Sequence, residues 1–147
     1  MITELKLMAN YHLAILKKPY LDAILEGRKL VEARFTMTRR MPFGQIFKGD
    51  KIFLKQSSGP VSATSVVSAV KSFPNLTQAK VLDIKARYNH LILGSDEHWK
   101  HFSQCNFGLL IWLTNVRSIK PVMINKKDWR AWVVLNKRQD YGLLRNS

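Results

Sequence analysis

Apolar and polar positions alternate with period two along several stretches of the chain, and between them fall at helical spacing. Tyr11 to Leu16 reads as a first strand. Pro19 then marks the opening turn of a helix, where its missing N–H costs nothing; Leu21, Ile24 and Leu25 share the apolar face. Gly27 follows as the left-handed residue that ends the helix. From Leu30 to Phe35, Val31, Ala33 and Phe35 make an apolar face, and Leu30, Glu32 and Arg34 a mostly charged one. Lys51 to Gln56 and Val61 to Phe73 are further strands, joined by a turn at Ser57-Ser58-Gly59-Pro60.

Val81, Ile84, Tyr88 and Leu91 fall at i, i+3, i+7 and i+10 and predict a longer helix. A shorter helix is predicted over Asp96 to Gln104. Phe107 to Val116 is apolar on both faces, as a central strand would be, with Trp112 in the core. Trp129 to Leu135 holds a final strand or turn, and the last few residues are expected to fray. No repeat, linker or low-complexity tract interrupts this order. The expected fold class is α+β: a small, partly open β-barrel with two or three flanking helices, one domain over residues 1–147.

A chain of 147 residues is long enough for one hydrophobic core, and 46% apolar with 23% charged residues suits a folded, soluble protein. The longest apolar run, around Leu109 to Leu113, is too short to cross a bilayer. The start, Met1 to Lys6, lacks the apolar segment of a secretory leader, and the single cysteine, Cys105, allows no intrachain disulfide. A cytoplasmic protein without membrane contact is expected.

Charge changes the picture most. Lys and Arg number 24 against 10 Asp and Glu, a formal net charge of +14. A polyanionic partner relieves such self-repulsion, and nucleic acid is the first candidate; a generally solvated surface is the plainer reading. Arg28, Lys29, Arg34, Arg39, Arg40, Lys48, Lys51 and Lys55 crowd into one stretch that holds only Glu32 and Asp50 as acids.

Within it, Gly27-Arg28-Lys29-Leu30-Val31-Glu32-Ala33-Arg34 has the form G-x-K-x-x-E-x-R at a helix-to-strand junction. Arg34 offers a fork for phosphate or carboxylate, Lys29 a point charge, and Glu32 a group that orients both. Lys29 has the opposite strand parity to Glu32, so the two converge only if the junction bends. The plainer alternative is a solvated Glu32–Arg34 pair.

The pattern resembles that of the ASCH domain, one of the PUA-like group of small β-barrels. The likeness covers Tyr11 to about Phe73, with Gly27, Lys29, Glu32 and Arg34 in the motif positions; beyond that it is one of pattern only. It implies a PUA-like barrel with a cleft beside the first helix, lined by the motif and receiving RNA. Some members resemble hydrolases, either ribonucleases or amidohydrolases that deacylate N(4)-acetylcytidine. In the amidohydrolase type a threonine stands where this chain has Glu32, and after residue 60 the only glutamate is Glu97, so that reaction fits poorly. In a catalytic site Lys29 would serve as base, or Glu32 would activate water while Lys29 or Arg34 stabilises the developing anion.

The candidate set for RNA, another single strand or a modified nucleoside is Lys29, Glu32, Arg34, Arg39, Arg40, Phe43, Lys55 and Ser57. Arg39 and Arg40 would hold phosphates while Phe43 stacks on a base; alternatively Met41 and Phe43 cap the barrel. Ser57 and Ser58 offer hydroxyls at a neighbouring rim or simply turn a hairpin. Trp129 and Trp132, flanking Arg130, are read as core aromatics, with a stacking platform as the alternative. His98, His101 and Cys105 lie at i, i+3 and i+7 but lack a fourth ligand, so no metal is expected, and no cofactor either. His12 and His90 have no evident partners.

Overall fold

A computed structural model describes residues 9–146, so the Met1–Lys6 reading lies outside the described residues. The elements run β1 (Tyr11–Leu16), α1 (Lys18–Leu25), β2 (Val31–Thr36), β3 (Lys51–Gln56), β4 (Val61–Phe73), α2 (Gln78–Ile92), α3 (Asp96–Phe102), β5 (Phe107–Val122) and β6 (Trp132–Leu135). All six strands join one sheet in the order β2-β5-β4-β3-β1-β6. β1 and β3 pair in parallel; the other neighbours are antiparallel. The sheet curls into a half-barrel whose two edges, β2 and β6, share no ladder.

Local chemistry sets the helix limits. The Thr77 and Ser95 hydroxyls accept the N–H groups of Lys80 and His98, capping α2 and α3. Gly27 stands at φ +76° beyond α1, and the N–H groups of Arg28 and Lys29 both donate to the Ala23 carbonyl at 2.9 and 3.1 Å. That double bond turns the chain sharply, so Lys29 sits at the bend just before β2.

Side chains alternate between two buried layers. Leu109, Ile111 and Leu113 of β5 point inward with Ala14, Ile52, Leu54 and α1's Leu21 and Ile24. Leu110 points outward and packs with Val31, Phe35, Val81, Ile84, Trp99 and Phe102 beneath α2 and α3. A third group, Leu13, Phe53, Val61, Val133 and Leu135, lies under Leu143.

Several expectations need correction. β5 runs six residues beyond Val116, and β6 begins only at Trp132. Trp112 is half-buried, packed against the outer cluster and edge-on to Tyr88 at 5.5 Å, rather than fully in the core. Trp129 is 100% exposed, whereas Trp132 is buried at 4%. Leu143–Asn146 form a 3-10 turn rather than a frayed end.

His12, which seemed partnerless, is fully buried. Its Nε2 lies 2.8 Å from Asp50 Oδ2, and Trp132 Nε1–H donates to its Nδ1 at 3.0 Å. Because Nδ1 accepts, Nε2 carries the proton. Asp50 also accepts the N–H groups of Asn10 and Phe47, so its charge is satisfied inside the protein. Burial pushes His12 below the ordinary histidine value, against the opposing pull of Asp50. With the folded value depressed, His12's contribution to stability is complete above about pH 6.5 and is lost progressively as pH falls below it. Trp132→Phe strands the Nδ1 acceptor and is expected to cost about 1–3 kcal/mol. It should also shrink the fall in stability between pH 6.5 and 5. Urea midpoints across that range check both; identical midpoints in the two proteins would contradict the assignment.

Candidate functional site: the cleft beside the first helix

Glu32 and Arg34 occupy the face of β2 opposite Val31 and Phe35, and that face is covered. Glu32 is 8% exposed and Lys29 4%, so the solvated-pair alternative fails. The bend after Gly27 brings Lys29 onto the same spot: its Nζ lies 3.3 Å from Glu32 Oε1. The same ammonium donates to the carbonyls of Val31 at 3.0 Å and Ile92 at 2.5 Å. Three protons thus meet three acceptors. Ile92 ends α2, and a cation there satisfies an orphan carbonyl and complements the helix dipole.

Arg34 makes four hydrogen bonds within the protein. Its Nε and Nη2 donate to Glu32 Oε2 at 2.9 and 2.7 Å, Nη2 also to Ile15 O at 3.1 Å, and Nη1 to Ala131 O at 3.3 Å. The guanidinium stacks 5.0 Å over the Trp132 ring. Arg34 therefore reaches from one sheet edge, β2, across to residues beside the other, and clips the open seam of the barrel. Of the two anions the Arg34 fork could grip, phosphate or carboxylate, the Nε–Nη2 edge here holds the carboxylate of Glu32. Burial works against the Glu32 charge, but Arg34 and then Lys29 outweigh it and hold the carboxyl below the usual range.

Above this floor lies a cleft of about 270 Å³ between α1, β2 and the α2–α3 junction. Its remaining walls include Lys17, Tyr20, Gly94 and His98. Tyr20 Oη is 3.3 Å from His98 Nδ1, which accepts the Ser95 N–H at 3.2 Å. Nδ1 being an acceptor, Nε2 carries the proton, and it has no partner among the described residues. Sequence reasoning missed Lys17, Tyr20 and this use of His98. Their signal was position: Lys17 and Tyr20 bracket the helix start at Pro19, which faces the motif.

His98 and His101 do not converge. His101 Nε2 is 3.9 Å from Cys105 Sγ, while His98 turns to Tyr20 and Ser95, and among the described residues no three potential ligands gather. Lys55 and Ser57 line a second hollow, of about 440 Å³, and Arg40 a third, of about 620 Å³. Arg39 lies 5.1 Å over the Phe43 ring, which packs edge-on to Phe107, so this pair stands apart from all three.

A six-stranded half-barrel with helices against it is an α+β, PUA-like architecture. The ASCH domain family model matches residues 15–136, and the chain belongs to that family. The fold is similar to that of the ASCH protein from Zymomonas mobilis, with a TM-score of 0.70 at 17% identity, over 92% of this chain and 94% of that one. A single-residue variant of the same protein gives a TM-score of 0.71 at 18% identity, over 92% and 95%. The hypothetical protein PH0355 gives 0.50 at 16%, over 74% and 98%. No curated protein matches in sequence. No helix among the described residues is long and apolar enough to cross a membrane.

Lys29→Met leaves Ile92 O and Val31 O unmet and removes one counter-charge from Glu32; a loss of about 3 kcal/mol in urea unfolding is expected. Glu32 has a depressed folded value, so its contribution is complete above about pH 4.5 and lost as pH falls through that value. The acid limb of wild-type stability below pH 4.5 should therefore be flatter in Glu32→Gln. Parallel limbs would show that Glu32 is not the titrating group.

Proposed function

We propose that this cleft binds a nucleotide unit of RNA or of another single strand. The observation that carries the reading is a concave site with Lys17, Lys29 and Arg34 against one acid, Glu32. Because the lysine and arginine of the motif are held by protein acceptors, they act as a fixed positive floor, while Lys17, Tyr20 and His98 make the adjustable contacts. A floor whose dipoles are set before the ligand arrives loses little on ordering. Net charge of +14 favours a polyanion over a neutral ligand.

A labelled single-stranded RNA octamer, followed by fluorescence anisotropy, tests this. With four to six phosphate contacts, log affinity should fall against log salt with a slope of about −3 to −4. Lys17→Ala should weaken binding about threefold to fivefold, as for an exposed ion pair, and reduce the slope by about 0.7. A flat salt titration, or no binding, removes the proposal.

A second reading, hydrolysis of the bound RNA or of an acylated nucleoside, is favoured by one observation: His98 and Tyr20, a hydrogen-bonding pair, line the same cleft. In it His98, not the fully engaged Lys29, would move the proton. Product formed by wild type and lost in His98→Gln supports it; intact RNA and intact acylated nucleoside after prolonged incubation with excess protein discard it.

A further inference from the structure

The segment leading into β6 presents Trp129 at full exposure, the most exposed of the large hydrophobic side chains described. It is held there by design of its neighbours. Asp128 Oδ1 accepts Lys126 Nζ at 2.9 Å and the N–H and Nε of Arg130 at 2.9 and 3.1 Å; Oδ2 accepts Arg130 Nη2 at 3.1 Å. Lys126 also donates to the Asp128 carbonyl at 2.9 Å. This staple joins the residues on either side of Trp129 and leaves the indole outside it. Hydrogen bonds from Arg130 and then Lys126 hold the Asp128 carboxyl well below the usual range, so the staple is intact at neutral pH.

Trp129 lines both the second and the third hollow. The second shares Ile15 and Lys17 with the cleft, and the third shares Arg34 and Phe35 with it. The indole therefore stands between the second and third hollows, each of which adjoins the cleft. The second hollow is lined by one acid, Asp128, against Lys17, Lys55, Lys126, Lys127 and Arg130, and the third by Arg34, Arg40 and Arg130 with no acid among its described lining residues. Lys55 adds a cation with no acidic partner among the described residues: its ammonium donates to Gln56 O. Burial and the nearby Lys126 push Lys55 below the ordinary lysine value, so an arriving anion relieves a standing cost.

An exposed aromatic plane between rows of cations matches the alternation of base and phosphate in a single strand. A lipid surface would need an apolar face, whereas Trp129 is flanked in sequence by Asp128 and Arg130. We propose that Trp129 is the stacking platform for the nucleotide next to the one in the cleft, with Lys17, Lys55 and Lys127 on the intervening phosphates. This rests on the RNA reading of the cleft and extends it to an adjoining subsite.

Trp129→Ala leaves packing untouched, since the side chain is fully exposed. Loss of one base stack should weaken octamer affinity about tenfold. The salt slope should stay as in wild type, because no charge is removed. Trp129→Phe should recover most of the affinity, and octamer should quench tryptophan emission in wild type but not in Trp129→Ala. Equal affinity and equal quenching in wild type and Trp129→Ala overturn this subsite while leaving the cleft reading intact; absence of octamer binding by wild type overturns both. Self-association of wild type that is abolished in Trp129→Ala, with RNA affinity unchanged, assigns the indole to a second copy and overturns the subsite as well.

Discussion

The structure depends on how an unclosed barrel is held shut. β2 and β6 are edges, each with backbone groups that no strand completes, and a closed ladder would have removed both. Closure instead falls to one side chain. Arg34 leaves β2, accepts its orientation from Glu32, and donates to Ile15 O and Ala131 O on the far side while covering Trp132. A guanidinium suits the task because it offers five donors in a rigid plane, and a lysine here would lose the second and third contacts. The third hollow, lined by Arg34 to Thr36 and by Trp129 to Trp132, lies along this seam, and the cleft lies on the other side of Arg34, beside α1.

Burying charge is costly unless it is well bonded, and the buried Lys29 and Glu32 are bonded to each other, to backbone carbonyls and to half-buried Arg34. Lys29 answers Glu32, Val31 O and Ile92 O; Arg34 answers the other carboxylate oxygen. The chain of contacts continues inward from Trp132 to His12 and Asp50, so the cleft floor and the barrel interior form one polar network. Partly satisfied networks of this kind destabilise, whereas a satisfied one fixes a unique arrangement. That is why α2, whose last carbonyl is held by Lys29, is placed reproducibly against β2, and why Gly94 and His98 beyond it reach the cleft wall.

Much of the fold was legible because it is written in short range. The limits of β1, β3 and β4, and the left-handed Gly27, follow from alternation and turn chemistry. What failed was information about coverage. Alternation in β2 separated Glu32 and Arg34 from Val31 and Phe35 correctly, but it does not say that the polar face is roofed by α1 and the α2–α3 junction. His12 looked solitary because its partners lie 38 and 120 residues away. Trp129 and Trp132 looked alike in sequence, yet one joins β6 against the core and the other sits on the wrong side of the Asp128 staple. The motif residues line a cleft, but spacing alone does not say that their donors are already met by protein acceptors.

That distinction alters what G-x-K-x-x-E-x-R means physically in this chain. A lysine with all three protons in use, one of them on a helix-terminal carbonyl, must break those bonds before it accepts a proton from a substrate. An arginine whose fork is filled by a carboxylate cannot also grip a phosphate with it. The motif residues therefore form a bonded frame for the cleft, and the other polar groups lining it are ones that β2 does not carry. Those groups, Lys17 and Tyr20 at the start of α1 and His98 on α3, come from separate elements, and the frame is what holds these elements at one distance from each other.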